Sequence, residues 1–230
     1  LKNVFIQRNK AKFTGARLGL LKELPDIIRL TLDDCSIDSK GVAAISTLPN
    51  LVDVTLENSL ITDKDLPELA KLTGLKTLKL GLTKTTPAGL SKLASLTQLV
   101  SLSWTPTPKK AKAEFQQIAA ALPGIKSFKL ICHEEKFTEE DVAGLSAFPA
   151  LYKVEMELNA CTTETFAGAA RIPTLTGLHC YTTNKVNEQS FIALKASRSL
   201  EVFSVDVGNN ITGACLQHLA AIPTLKKVGL

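Results

Sequence analysis

Along the stretch from Leu48 to Lys71, LPNLVDVTLENSLITDKDLPELAK, apolar and polar positions change period once. Leu51-x-x-Val54-x-Leu56 places Val54 and Leu56 two apart, with Asp53, Thr55 and Glu57 on the other face, which predicts a half-buried strand. Thr62-Asp63-Lys64-Asp65 then offers a hydroxyl three residues ahead of a carboxylate, a helix-start signal of the capping-box kind. Leu66, Leu69 and Leu72 follow at a spacing of three, the inner stripe of a short helix.

The same unit recurs along the whole chain. Equivalent starts fall at Leu24, Leu48, Leu72, Leu96, Leu122, Phe148, Ile172, Ser197 and Ile222, spaced 24, 24, 24, 26, 26, 24, 25 and 25 residues apart. Leu1 to Ile6 supplies one earlier strand, so the pattern predicts ten strands and nine intervening helical segments. Neither element can bury its apolar side alone, so each repeat must stack on its neighbours. The strand pairs Leu30/Leu32, Leu78/Leu80, Phe128/Leu130 and Val154/Met156 match Val54/Leu56. Three residues later comes a mostly polar slot, Asn9, Cys35, Ser59, Thr83, Thr107, Asn159 and Thr183, suited to bonding the backbone of the turn that leaves the strand. His133 and Gly208 fill it less well. Thr14, Asp38, Thr86, Thr138, Thr162, Asn187 and Thr212 occupy the helix-cap slot of Thr62, and Val142/Leu145/Phe148 and Leu216/Leu219/Ile222 repeat the inner stripe.

Ile27-x-x-Leu30-x-Leu32-x-x-Cys35-x-Ile37 resembles the signature L-x-x-L-x-L-x-x-N/C-x-L of leucine-rich repeat proteins. Ile61-Thr62-Asp63-x-x-Leu66 is similar to the I-T-D-x-G-L motif of their cysteine-containing subclass, which includes F-box substrate receptors and many bacterial arrays. The resemblance implies an α/β solenoid, a horseshoe with a parallel concave sheet and convex helices. It covers residues 1–230 as one domain of about nine repeats plus a final strand. It also implies a generic interaction scaffold, because this architecture does not dictate a single activity.

One repeat departs from the pattern. From Leu96 it carries Trp104 at a core strand position, two prolines in the following turn, the cluster Lys109/Lys110/Lys112 and no cap residue, which predicts a bulging loop with solvated lysines.

Composition narrows the chemistry. With 45% hydrophobic but 5% aromatic residues, the core is expected to consist mainly of Leu, Ile, Val and Ala. No apolar run approaches the roughly 18 residues of a membrane span, and a net charge of +5 is mild for a nucleic-acid binder. Five cysteines, at positions 35, 132, 161, 180 and 215, form no C-x-x-C pair and read as reduced core thiols. Cys132, Cys161 and Cys180 fall in three different repeat slots, so no alignment of thiols across neighbouring strands is expected, and no metal site or cofactor follows from them. His218 lies between Leu216 and Leu219 and reads as solvent-facing. Glu155 and Glu157 share one strand face without a predicted pocket, and no phosphate loop, G-x-S-x-G elbow or H-E-x-x-H is present. Asn210-Ile211-Thr212 forms a glycosylation sequon, but Ile211 and Thr212 fall at inward and cap slots.

The expected working surface is therefore the concave face. Its outward positions hold six basic residues, Arg8, Arg29, Lys79, Lys129, Lys153 and Lys227, against seven acidic ones, Asp33, Asp34, Asp53, Glu57, Glu155, Glu157 and Asp206. A face this near neutrality argues against nucleic acid as the ligand. Acids cluster at Asp33, Asp34, Asp53 and Glu57, and a ridge of Phe5, Lys79, Lys129, His179 and Tyr181 is expected in nearby or equivalent slots. With Arg29, Glu155 and Glu157 these are the candidate contacts for a protein partner. The reading is a non-enzymatic protein-binding scaffold, with the substrate-receptor part of a larger ubiquitin-ligase-type protein as the alternative. The chain opens at Leu1 within one strand pattern and stops at Leu230 within another. That predicts either continuation of the natural protein or coverage of the uncapped end repeats, including by end-to-end association.

Overall fold

The computed structural model describes residues 1–7, 15–24, 26–133, 136–159, 161–181, 186, 188–206 and 213–230, with the side chains of 15–17 excepted. Arg8, Asn9, Thr14, Thr183, Asn187, Gly208 and the 210–212 sequon lie outside them. The described residues group into two compact units, Leu1–Thr105 with Ala120–Ile125, and Pro106–Ala119 with Lys126–Leu230.

In the first unit the strands are β1 (Asn3–Gln7), β2 (Arg29–Asp33), β3 (Asp53–Thr55), β4 (Thr77–Lys79) and β5 (Ser101–Trp104). They pair in sequence order and in parallel, in the register Val4, Leu30, Val54, Leu78 and Leu102 on the inner side. Parallel neighbours need a crossover. Here it is supplied by a 3-10 segment (Gly15–Glu23), by α1 (Ser39–Ile45), by α2 (Leu66–Leu69), and by α3 (Pro87–Leu90) running into a 3-10 turn (Ser91–Leu93). Leu66, Leu69 and Leu72 are buried, as their spacing predicts.

Between strand and helix the chain turns through left-handed residues at a fixed interval: Asp34 (φ 54°), Asn58 (φ 51°) and Leu82 (φ 57°). Each passes its N–H to the next repeat: Asp34 to the Glu57 carbonyl, Asn58 to the Gly81 carbonyl and Leu82 to Thr105 Oγ1. The polar slot just beyond does what its position predicts. The hydroxyls of Ser59 and Thr83 donate to the Leu56 and Leu80 carbonyls at 2.6 and 2.7 Å, and the Cys35 thiol lies 3.7 Å from the Ile6 carbonyl of the preceding strand.

The second unit contains α4 (Ala111–Ala121) as far as Ala119, β6 (Ser127–Cys132), α5 (Glu139–Ala143) leading into a 3-10 turn (Gly144–Ala147), β7 (Lys153–Leu158), α6 (Thr163–Ala170), β8 (Gly177–Tyr181), α7 (Glu188–Leu194), β9 (Val202–Asp206), α8 (Cys215–Ala220) and β10 (Lys227–Gly229). Strands β6 to β10 are again parallel and sequential. Here the six-residue strands β6 and β7 lengthen the inner row by Cys132 and Leu158. Asn159 is consequently pushed out to solvent, while Cys161 is buried at the slot that Ile37 and Ile61 fill in earlier repeats.

The core is mainly Leu, Ile, Val and Ala, as composition predicts, with Phe concentrated in one unit, while two other expectations need correction. Seven of the nine Phe, at 115, 128, 137, 148, 166, 191 and 203, are fully buried, all in the second unit, where rings such as Phe115 and Phe128 pack edge to face at 5.3 Å. A scarce residue type thus supplies much of one core. Leu216 is exposed rather than inward, because α8 starts at Cys215 and buries Cys215 and Leu219. His218 does not face solvent freely: it packs toward α7 with Nε2 3.1 Å from Glu188 Oε1.

The cap slot shows a division of labour. Asp38, Thr86, Thr138 and Thr162 each accept from the N–H three residues on, and Thr138 with Asp141 forms a full capping box. Thr62 donates both N–H and hydroxyl to Asp65, but α2 begins only at Leu66.

Trp104 is buried and donates its indole N–H to Thr85 Oγ1 at 3.2 Å. The predicted bulge follows, with Lys109 at φ 67° and its N–H bound to Asp141 Oδ2 at 2.9 Å; Lys109, Lys110 and Lys112 are exposed.

Candidate functional site

On the side of the first unit's sheet that points away from the helices, two rows cross the strands. One runs Asn3, Arg29, Asp53, Thr77 and Ser101, and within it Arg29 Nε bonds Asp53 Oδ2 at 3.1 Å. The other runs Phe5, Thr31, Thr55, Lys79 and Ser103. Phe5 stands 61% exposed at the edge, while Thr31, Thr55 and Ser103 are almost fully covered. Ser103 donates its hydroxyl to Glu57, whose carboxylate reaches over β4 to meet it. Asp33 sits half-buried at the end of β2 opposite Gln7, and Asp34 accepts from Asn58 Nδ2 at 2.6 Å. Phe5 and Lys79 therefore share a row but are separated by Thr31 and Thr55; they do not form a ridge.

The second unit brings its candidates together more tightly. Its outward rows are Ser127, Lys153, Gly177, Val202 and Lys227; then Lys129, Glu155, His179, Ser204 and Gly229; then Ile131, Glu157, Tyr181 and Asp206. Lys129 Nζ lies 2.6 Å from Glu157 Oε2 and 5.6 Å from the centre of the Tyr181 ring, a cation–π distance. Lys153 bonds Glu155 at 2.6 Å, His133 Nε2 lies 3.3 Å from Glu157, and the rings of His179 and Tyr181 are 4.0 Å apart. Of the expected ridge, these three residues, Lys129, His179 and Tyr181, are the ones that meet.

The electrostatics follow from this packing. Burial raises the Glu157 carboxyl pKa, but the bond and charge of Lys129, with His133 beside it, outweigh burial and leave it below its ordinary value. Tyr181 is shifted up, first by burial and then by the charge of Glu155, against the opposing pull of Lys129 and Lys153.

Ser204 and His179 Nδ1 share a hydrogen bond, and Asp206 Oδ2 lies 3.7 Å from His179 Nε2. These three residue types compose a nucleophilic triad elsewhere, but 3.7 Å is beyond hydrogen-bond reach. The amides of β8 lie between two paired neighbours, so those beside His179 are spent on the sheet rather than aimed at a developing oxyanion. Ser204 and His179 instead give a polar edge to a neighbouring cleft.

Sequence reading missed the importance of Gly177 and Ser204. Gly177 interrupts the outward row between Lys153 and Val202, leaving a cleft of about 130 Å³ lined by Lys153, Glu155, His179, Tyr181, Val202 and Ser204. The signal available was a glycine at an outward strand position.

All five cysteines are buried. Although they fall in different slots, Cys161 and Cys180 are near enough in the interior to interact. Burial first, and then Cys161, pushes the Cys180 pKa well up. Among the described residues no group of three or more His, Cys, Asp or Glu is placed to hold a metal, and no helix is long and apolar enough to cross a membrane.

One strand per 24–26 residues, parallel sequential pairing in each unit, left-handed turns stacked on the next repeat and a helical return define the architecture. It is a leucine-rich repeat solenoid. No family model matches the sequence, nor does any curated protein. Among solved structures, the repeat chain is similar to internalin C2 of Listeria monocytogenes, at 16% identity over 98% of this chain and 79% of that one, with a TM-score of 0.42. It is similar also to the internalin InlF of that organism, at 16% identity over 99% and 80%, with a TM-score of 0.39. At that level of likeness the leucine-rich repeat assignment rests on the chain's own register.

Proposed function

We propose that this leucine-rich repeat chain is a non-enzymatic scaffold that binds a protein partner through the outward face of its sheet. The observation that carries this reading is the state of that face in the second unit. Lys129, Glu155, Glu157, His179 and Tyr181 are held on adjacent paired strands by mutual ion pairs and ring contacts, yet Tyr181 stays exposed. Side chains ordered before binding lose little entropy on contact, which favours recognition. Phe5, Arg29, Asp33, Asp53, Glu57 and Lys79 provide the corresponding contacts in the first unit. Catalysis is disfavoured by a face whose backbone donors are already spent on strand pairing.

The test is capture with the 230-residue chain as bait, comparing three forms. Glu157→Lys and Asp53→Lys should each release whatever the wild type retains, while Glu164→Lys, on the exposed side of α6, should retain it. Loss with Glu164→Lys alone would overturn the reading.

A further inference from the structure

Gly177 has no structural need to be glycine. Its φ is not positive, and a Cβ built on it would meet Lys153 Cγ at 3.6 Å and the Tyr152 carbonyl at 3.9 Å, both ordinary contacts. Gly168 is the contrast: a Cβ there would fall 2.4 Å from the Glu139 carbonyl oxygen, so the close approach of α6 to α5 demands it. Glycine is disfavoured within a strand, and where packing does not require it, it marks a place where something else approaches the backbone.

The cleft it opens has a defined chemistry. Lys153 and Glu155 neutralise each other at 2.6 Å, so the lining offers no net charge. Val202, 40% exposed, provides an apolar wall opposite the stem of Lys153. The hydrogen-bonded pair of Ser204 and His179 forms a polar rim, with His179 Nε2 enclosed and lacking a hydrogen-bond partner. A cation would compete with Lys153 and a carboxylate would meet Glu155. A purely aliphatic group would leave the polar rim unused. A flat apolar body with a polar tip suits all the walls, and an aromatic ring laid over a bare glycine is an established way to stabilise a sheet.

We propose that the cleft over Gly177 receives a tyrosine side chain of the protein partner, its ring on the Gly177 backbone between Val202 and the Lys153 stem and its hydroxyl at the Ser204–His179 rim. This deepens the scaffold reading and rests on it. Interfaces concentrate their energy in such aromatic anchors seated in pockets.

The experiment uses amide-resolved NMR of the full chain, titrated with N-acetyl-L-tyrosinamide. The phenylalanine, leucine and arginine analogues serve as comparators. Saturable shifts confined to residues 153–155, 177–181 and 202–204 are expected with the tyrosine amide, with at least threefold weaker binding of the other three. Gly177→Val should weaken binding at least tenfold while its melting temperature stays equal or rises; Gly177→Ala is the smaller step if the valine form does not fold. Absent shifts, shifts that survive the substitution, or equal response to all four probes would overturn the proposal. Partner capture separates it from the scaffold reading. A partner retained by Gly177→Val but lost with Glu157→Lys removes the tyrosine anchor alone, whereas one retained by both removes the sheet-face reading as well.

Discussion

Asp63 holds Thr86 of the following repeat: its carboxylate accepts the Thr86 N–H at 2.7 Å and the Thr86 hydroxyl at 2.6 Å. The same hydroxyl accepts from Gly89 N–H to cap α3, so one repeat's acid orients the next repeat's helix start. Asp63→Ala should therefore destabilise the chain by about 1–2 kcal/mol, the scale of a lost helix cap. Asp65→Ala, whose carboxylate serves only its own turn at Thr62, should cost no more. Urea denaturation of both variants provides the comparison. A loss at Asp65 exceeding that at Asp63 would contradict the cross-repeat role.

Leu82 carries a left-handed backbone (φ 57°) at the position filled by Asp34 and Asn58 in the two repeats before it. Its side chain is 38% exposed, so little packing is lost on removing it. Leu82→Asn or Leu82→Gly should raise stability by about 1 kcal/mol by relieving the Cβ–carbonyl clash. A lower denaturation midpoint in both would show that Leu82 is held by packing instead.

Lys112 and Arg171 flank Glu140 at 2.9 and 2.5 Å. Their hydrogen bonds and charges lower its pKa from 4.5 to about 2. With the folded value below the unfolded one, the stabilisation is present above about pH 4.5 and disappears as pH falls toward 2. The group is exposed, so added salt should weaken the effect. Glu140→Gln should flatten the stability profile in that window and leave the salt dependence smaller. An unchanged acid limb would remove Glu140 from the explanation.

Cys180 has its thiolate suppressed by burial and by Cys161. Native protein should react with iodoacetamide at Cys180 orders of magnitude more slowly than the urea-unfolded chain. Rapid modification of Cys180 in the folded state, read by mass spectrometry, would reveal an accessible thiolate.

The inner rows were legible because a two-residue period leaves no freedom: Val54, Leu78 and Leu102 must face inward together or the strands cannot stack. The Thr83 slot and the Thr138 capping box were legible for a similar reason, since each is satisfied within about three residues. Asp63 was readable as part of a helix start but not as a donor of stability to Thr86, which lies a full repeat away. The polar slot of Asn159 was misread because β7 runs on to Leu158 and carries Asn159 out to solvent, a change that leaves no mark in a repeat of ordinary 24-residue length.

What the sequence determined was the repeat: its length, its strand and helix phases and the face each residue occupies, all consequences of local periodicity. What the tertiary structure decided was which outward residues meet. Lys129 reaches Tyr181 two strands away, His179 finds Ser204 on the next strand, and Gly177 opens a cleft between Lys153 and Val202. Those relations depend on register between strands 24 to 26 residues apart in the chain and on which long side chain bends toward which neighbour. Both are settled by packing across repeats and leave no local periodic mark.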